Sequence, residues 1–379
     1  FSSFDELEFH FPEKGVDLPF SFRPGIVVAL DYEMGLSEMG VGDGGVSLGI
    51  RVDRAMVFGH KERACWLIGE FPSEQDFSDW KHSVFLRIAL TGGESKTMNG
   101  NFHSELKALS SKSEYMEAVD KCREQIQFGE SYQLCLTTKL VGEIKADPKH
   151  IFYQLKKNHP APFASFIDFG QTQLISISPE LFFSSNEGLM KSSPIKGTRP
   201  RASDPEEDMK LSVELRENEK EQAENLMIVD LVRNDFTRVA EIDSVVTEKL
   251  FELQSFSSVH QLVSTISAKI APSVSTAQAI KSLFPAGSMT GAPKHSAVRF
   301  LNKLESQKRG LYSGAFGWIG SNGDSELAMT IRSIVIENGR CSIGVGGGVT
   351  WGSVASHEYE EMQLKAKALV ETINGQVSW

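Results

Sequence analysis

AFGWIGSNGDSELAMTIRSIVIENGRCSIGVGGGV, at residues 315–349, is the stretch that decides the fold class of this chain. It holds three strand-like runs joined by Asn322-Gly323 and Asn338-Gly339, and both dipeptides favour the tight turns of β-hairpins. An amphipathic helix is predicted after it, at about residues 356–373. Strands that follow one another in runs, rather than alternating strictly with helices, indicate antiparallel pairing.

The pattern upstream agrees with this interpretation. Short strand-like runs such as 25–30 and 64–68 occupy the first 110 residues, with glycine-rich turns between them. From Ser113 the apolar spacing predicts a helix that Gly129 terminates. Further strands are predicted at 131–138, twice within 162–184 and at 259–270, and further helices at 150–157, 206–240, 275–284 and 294–305. We therefore predict a mixed, mainly antiparallel α+β layer fold.

Composition excludes several classes of protein. The 379 residues carry 39 Lys and Arg against 50 Asp and Glu, and a net charge of −11 repels a nucleic-acid backbone. The sequence has no apolar run of 18 residues and no signal-like N-terminus, so we expect no membrane partner and a cytoplasmic location. The chain begins with Phe1, which suggests a missing upstream segment. Its four cysteines have neither zinc-ligand spacing nor a disulfide framework.

Two predicted helices each carry a pair of carboxylates three residues apart. Glu221 and Glu224 form one pair, and Glu358 and Glu361 form the other. If the helices face each other, the four carboxylates would suit Mg²⁺, which prefers oxygen ligands and keeps some of its waters. The spacing is equally typical of a solvated helix face, and this alternative stays open.

Lys196 lies in Ser193-Pro-Ile-Lys-Gly-Thr-Arg-Pro-Arg201, an irregular, turn-like segment. An amine becomes a nucleophile when desolvation or a neighbouring cation lowers its pKa, and Arg199 or Arg201 could supply that cation. A surface lysine beside a basic loop is the alternative.

Three other features have both a functional and a structural interpretation. Gly346, Gly347 and Gly348 would let backbone N–H groups approach an anion, but a plain tight turn explains them too. Glu180 could be a general acid or a surface residue, and His260 on an apolar strand could be catalytic or a satisfied core histidine. The loop 284–294 lacks the ending of a phosphate-binding loop, which excludes nucleotide binding there.

Five motifs, taken together and in this order, resemble the chorismate-utilising enzymes, a family that includes the anthranilate, aminodeoxychorismate, isochorismate and salicylate synthases. They are Ser178-Pro-Glu180, Pro194-Ile-Lys-Gly-Thr-Arg199, Glu224-Asn-Leu-Met-Ile-Val-Asp-Leu-Val-Arg-Asn-Asp235, Phe284-Pro-Ala-Gly287 with Gly291-Ala-Pro-Lys294, and Gly346-Gly-Gly348 with Glu358-Tyr-Glu-Glu361. The resemblance implies a large two-sheet sandwich with helices outside. It also implies a catalytic region at 111–379 and a truncated sheet-forming region at 1–110 packed on the same fold.

The resemblance assigns roles to individual residues. It implies that Glu224 and Glu361 bind Mg²⁺ directly, and that Glu221 and Glu358 support it through water. It places Glu180 as the general acid and His260 beside the departing ring hydroxyl. The implied substrate-binding residues are Gly197, Thr198, Tyr312, Arg332, Gly346, Gly348 and Lys365.

Two positions discriminate among the family's members. Lys196 in Pro-Ile-Lys-Gly-Thr is typical of the aminodeoxychorismate synthases, whereas anthranilate synthases usually have alanine there. Gln133 occupies the place of the lysine that activates water in the isochorismate and salicylate enzymes. The resemblance therefore implies amination of chorismate at ring carbon 4 through a Lys196 adduct, on the route to 4-aminobenzoate and folate. It also implies a glutamine amidotransferase subunit or domain that supplies ammonia.

Two other functions remain as alternatives. One is the first component of anthranilate synthase, and the other is a catalytically silent homologue that binds chorismate or tryptophan as a regulator.

Overall fold

The structure, a computed structural model, describes residues 2–7, 18–91, 104–256 and 259–379. Within these ranges it contains nineteen β-strands and nine α-helices. The strands are β1 (Gly25–Leu30), β2 (Leu48–Val52), β3 (Arg54–Gly59), β4 (Ala64–Gly69), β5 (Ser104–Ala108), β6 (Gln133–Glu143), β7 (Phe163–Asp168), β8 (Thr172–Ser178), β9 (Leu181–Asn186), β10 (Leu189–Ser193), β11 (Ile195–Pro200), β12 (Val246–Ser255), β13 (Val259–Lys269), β14 (Gly291–Ala292), β15 (Ala315–Gly320), β16 (Ser325–Met329), β17 (Ser333–Glu337), β18 (Arg340–Val349) and β19 (Gly375–Ser378). The helices are α1 (Tyr32–Glu38), α2 (Glu74–Thr91), α3 (Lys112–Gln127), α4 (Pro148–Asn158), α5 (Pro205–Glu217), α6 (Glu219–Thr237), α7 (Thr276–Leu283), α8 (Lys294–Leu304) and α9 (Ala355–Thr372).

Two large sheets form the body of the fold. The nine-stranded sheet has the order β11-β13-β10-β9-β16-β15-β1-β2, with β12 paired to β13. The eight-stranded sheet has the order β19-β5-β6-β18-β17-β8-β7, with β14 paired to β6. All these pairings are antiparallel except that of β19 with β5. The predicted mixed, mainly antiparallel α+β class is confirmed.

Apolar residues fill the space between the two sheets and also cover the outer face of each sheet. Ala29, Phe316 and Ala328 of the larger sheet share a buried cluster with Leu174 of the smaller sheet. Helices α6 and α7 pack on the other face of the larger sheet, and α3, α4, α8 and α9 pack on the smaller one. The helices therefore lie outside the two sheets. Within the described residues, none of them is both long enough and apolar enough to cross a membrane.

The region predicted as helical at 206–240 is two helices, and one residue divides them. Asn218 has an extended backbone, ends α5 and begins α6, and its side-chain oxygen accepts a hydrogen bond from the Glu221 N–H at 3.1 Å. Asparagine is a preferred residue at this capping position because its side chain satisfies an N–H that the helix leaves open. The cap fixes where the first turn of α6 begins, and this turn carries Glu221.

Residues 315–349 form four strands instead of the predicted three. The middle run divides into β16 and β17 at Arg332, whose φ of +48° is left-handed and uncommon outside glycine. β16 belongs to the nine-stranded sheet and β17 to the eight-stranded sheet, so the chain crosses between the sheets here. A pattern of apolar residues cannot reveal such a crossing, because both halves still read as strand.

A second crossing lies beside the first. The interval 162–184 holds three strands, β7, β8 and the start of β9, where two were predicted. The chain leaves the eight-stranded sheet after Ser178 and joins the other sheet at Leu181. The two crossings are hydrogen-bonded, since the Met329 N–H donates to the Glu180 carbonyl at 3.0 Å and the Ile177 N–H donates to that of Arg332 at 3.1 Å. Glu180 and Arg332 are therefore neighbours.

Candidate active site

Lys196, on β11, extends toward the neighbouring sheet. Its Nζ lies 3.4 Å from the point that a Cβ on Gly348 would occupy, and the Gln133 carboxamide lies closer still to that point. Glycine at position 348 of β18 thus leaves the space that these two side chains fill. The positive charge of Lys196 also acts to lower the pKa values of Glu180 and Glu224, so the amine lies near both carboxyl groups.

Glu180 is a buried acid with an unusual pKa. Its side chain is 6% exposed, and burial raises its pKa to about 7, although Ser288, Lys196 and Arg332 partly offset this effect. Desolvation disfavours the charged form of a carboxyl group. The group can therefore hold a proton near neutral pH, as a general acid must.

Arg332 places a guanidinium beside this acid. Burial lowers the pKa of Arg332, and the nearby Glu180 partly offsets that effect. A guanidinium binds carboxylates through paired, charge-assisted hydrogen bonds. The strained left-handed backbone at this residue is of the kind that folds retain at functional sites.

Helices α6 and α9 bring three carboxylates together. Burial raises the pKa of Glu224, which Lys196 and Lys220 lower only in part, and Glu358 raises it further. Burial also raises the pKa of Glu358, whose Oε1 accepts a 2.6 Å hydrogen bond from Ser353 and whose neighbour Glu361 adds to the effect. Carboxylates of the two helices are therefore close enough to influence one another, and their meeting at one metal site stays a prediction.

Glu361 and Glu221 each have a close cationic partner. Partial desolvation acts to raise the pKa of Glu361, but Lys365, 2.7 Å away, outweighs it and lowers the pKa. Glu221 is paired with the Arg199 guanidinium at 3.2 Å. Glu221 therefore faces the β11 side of the site.

These carboxylates suit a hard cation, although they are not gathered around one point. Within the described ranges, no three His, Cys, Asp or Glu side chains form a group that could hold a metal ion. Burial nevertheless raises the pKa of both Glu224 and Glu358, and Glu358 raises that of Glu224 further, so a divalent cation would stabilise their charged forms. The donor chemistry fits Mg²⁺, and the assignment of ligands stays a prediction.

The glycines of β18 form one wall of the site. The Lys365 ammonium donates to the Gly346 carbonyl at 3.1 Å. A Cβ on Gly347 would lie 3.2 Å from a carboxylate oxygen of Glu358, and the buried Tyr312 ring packs where a Cβ on Gly344 would lie. This strand accommodates its neighbours because it lacks side chains.

The remaining predicted pocket residues lie at the edge of this arrangement. Gly197 has a φ of +85°, and a Cβ there would come within 3.1 Å of a Glu221 carboxylate oxygen and 2.8 Å of Leu215. Thr198 is exposed. Their contact with substrate stays a prediction.

His260 forms contacts with residues that the prediction did not include. It is 3% exposed, with Nδ1 2.8 Å from the Ser255 hydroxyl and Nε2 3.0 Å from Asp208. Asp208 also accepts from the Arg201 guanidinium. The ring thus joins α5 to β12, and its role beside the departing hydroxyl stays a prediction.

Sequence reasoning missed two side chains. Ser288, in the loop before α8, lies beside Glu180 and acts to lower its pKa. Lys220 lies 3.7 Å from Glu224 on α6. The four-residue spacing of this second pair was visible in the sequence, whereas nothing local links Ser288 with an acid 108 positions earlier.

Comparison with known proteins identifies the family. The sequence pattern of one family, described as chorismate binding enzyme, matches residues 34–371. The chain belongs to this family. Among curated relatives, this chorismate binding enzyme is 37% identical over 370 residues to an aminodeoxychorismate synthase of Streptomyces griseus. That alignment covers 94% of the chain and 51% of the relative. It is 33% identical over 313 residues to an anthranilate synthase component 1 of Aquifex aeolicus, covering 83% of the chain and 58% of the relative.

The chain spans about half the length of these curated relatives. A solved structure, the anthranilate synthase component I of Streptococcus pneumoniae, superimposes with a TM-score of 0.85 at 29% identity. The match covers 97% of this chorismate binding enzyme and 84% of that chain. The predicted fold class and family are both confirmed.

Proposed function

We propose that this chain catalyses the reaction of the first component of aminodeoxychorismate synthase, chorismate plus ammonia to 4-amino-4-deoxychorismate and water. The observation that carries the proposal is the place of Lys196, whose amine lies beside Gly348 and near both the Glu180 acid and the Glu224 carboxylate. An amine at this point is what nucleophilic addition to the ring requires. The higher identity to the aminodeoxychorismate synthase of Streptomyces griseus supports the same choice.

Chorismate is a dianion, so binding must neutralise two carboxylates. Arg332, whose guanidinium lies near Glu180, would pair with one of them. Glu224 and Glu361 would hold Mg²⁺, supported by Glu221 and Glu358. The ion would supply positive charge against the other substrate carboxylate. The Tyr312 ring and the glycines of β18 would limit the space around the substrate.

Two side chains then divide the chemistry. The Lys196 ammonium first releases a proton to solvent. Glu180 then donates its proton to the hydroxyl at ring carbon 4, and the Lys196 amine adds to ring carbon 2 as the double bond shifts and water leaves. Ammonia adds at carbon 4, the double bond returns, and the Lys196 amine is expelled. The extra proton of the incoming ammonia returns to the Glu180 carboxylate. The pyruvyl side chain stays attached throughout.

Ammonia needs a source, because little of it is present as the free base near neutral pH. We propose that a glutamine amidotransferase subunit or domain supplies it, and that free ammonium at alkaline pH replaces it in vitro. The pathway would lead to 4-aminobenzoate and folate.

Product analysis tests the proposal against both alternatives. The purified chain is incubated with chorismate, Mg²⁺ and ammonium, with and without a lyase that removes pyruvate from the 4-amino product. We expect 4-aminobenzoate only when the lyase is present. Fluorescent anthranilate without the lyase would instead identify an anthranilate synthase, and absence of turnover would favour the silent homologue.

The variant Lys196→Ala tests the covalent step. We expect loss of the 4-amino product, measured by chromatography after lyase treatment, because the adduct cannot form. Lys191→Ala is a matched control, since this lysine lies on β10, the strand that precedes β11 in the chain, and pairs with Glu248 at 3.0 Å. Unchanged turnover by Lys196→Ala would remove the lysine from the mechanism.

A further inference from the structure

Lys220 occupies a place that helix stability alone does not explain. It lies in the first turn of α6, directly after Glu219, where the positive end of the helix dipole disfavours a cation. Its partner Glu224 lies four residues later, and this order, with the basic residue first, is the weaker of the two. A different interaction therefore has to account for the position of this ammonium.

The environment of the ammonium supplies that interaction. Its nitrogen lies 3.7 Å from Glu224, a side chain that is only 13% exposed. The same charge also acts on Glu358 and Glu361 of α9 and favours the charged form of each, although burial keeps the pKa of Glu358 raised. One cation thus stabilises carboxylates contributed by both helices.

The lysine can also leave this place at little cost. Its side chain is 62% exposed, and at 3.7 Å from Glu224 its ammonium is beyond ordinary hydrogen-bond distance. Lys365 differs, because it donates to the Gly346 carbonyl at 3.1 Å and contacts Glu361 at 2.7 Å. Lys365 is fixed by two short contacts, whereas Lys220 is exposed and has one longer contact with a shielded carboxylate.

We propose that Lys220 is a displaceable counter-cation: its ammonium neutralises the edge of the carboxylate cluster in the metal-free protein and moves into solvent when a divalent cation binds. The inference rests on the proposed Mg²⁺ site. It makes Lys220 a positioning residue that pairs with the Glu224 carboxylate before the metal arrives. The cost is weaker metal binding, since the ion must displace one positive charge.

Isothermal titration calorimetry with Mg²⁺ alone tests the inference on the full chain without chorismate. Removing a charge next to a divalent ion in a partly hydrated site should strengthen binding about tenfold in Lys220→Met. Lys220→Arg, which retains the charge, should bind like the wild type. Lys367→Met is the matched control, because Lys367 forms a pair of the same spacing with Glu371 on α9, at 3.8 Å, with both side chains exposed.

Thermal melting provides a second readout. Without Mg²⁺, Lys220→Met should melt at a lower temperature than the wild type, because Glu224 loses its counter-charge, and saturating Mg²⁺ should remove the difference. Unchanged or weaker Mg²⁺ binding by Lys220→Met would overturn the inference, as would the absence of saturable binding by the wild type. Formation of the 4-amino product is measured separately. Its absence, with tighter binding by the variant, would refute the proposed function and leave the role of Lys220 intact.

Discussion

Burial of the Glu180 carboxyl group should make the protein less stable as the pH rises. In the folded protein its pKa is raised by burial to about 7, against an ordinary value of 4.5 in the unfolded chain. The folded state therefore binds more protons, and stability falls as the pH rises from about 4.5 to about 7. Above that range the buried charge costs about 3 kcal/mol.

The substitution Glu180→Gln removes this cost while retaining nearly the same shape. We expect the variant to be more stable than the wild type by about 3 kcal/mol at about pH 9, and by less than about 1 kcal/mol at about pH 5. The same change removes the proton donor, so turnover of chorismate should fall by about 10²- to 10⁴-fold. Stability and activity would change in opposite directions, as is common at functional sites.

Urea unfolding at the two pH values measures the effect. The dependence of the free energy of unfolding on urea concentration should be the same for each protein, so that the stabilities can be compared. Glu217→Gln, at an exposed position on α5, shows what the loss of one surface carboxylate does. A stability difference that does not grow between the two pH values would refute the argument that Glu180 is buried with a raised pKa. So would a variant that is less stable than the wild type under alkaline conditions.

Two further predictions concern other residues. Ser288→Ala should raise the pKa of Glu180 further, because the hydroxyl acts to lower it. In a pH–rate profile the alkaline limb of kcat/KM should therefore move to higher pH. A limb that moves to lower pH would contradict this prediction. Phe4→Ala should lower the free energy of unfolding, measured with urea, by about 3–5 kcal/mol. The reason is that Phe4 is 1% exposed and its ring packs edge-on against Phe284, with 5.5 Å between the ring centroids. A loss below about 1 kcal/mol would mean that this segment does not contribute to the core.

Much of the secondary structure could be predicted from local pattern. The predicted strand at 25–30 is β1, the predicted helix at 294–305 is α8 within one residue, and Gly129 has the positive φ of a helix terminator. Such signals depend on spacing and backbone freedom, which a short window of sequence contains. Strand crossings between sheets depend on distant pairing, and these were missed at residues 179–180 and 330–332.

The candidate site, too, could be predicted from the sequence only in part. The pairs Glu221 with Glu224 and Glu358 with Glu361 followed from helical spacing. Burial of Glu180 did not, because the chain around it is ordinary and the residue is shielded by segments far away in sequence. The contact of His260 with Asp208 is likewise a consequence of packing α5 on the sheet, which no local pattern contains.

The two crossings explain why this fold can place an acid and a guanidinium side by side in a shielded site. β8 pairs with β17 in one sheet and β9 pairs with β16 in the other. The chain therefore passes between the sheets twice, and the two crossings lie side by side. Glu180 lies outside both ladders in one crossing and Arg332 does so in the other, and the hydrogen bonds between the crossings hold the two together. Neither sheet alone contains both groups, and their altered pKa values arise only where the sheets pack together.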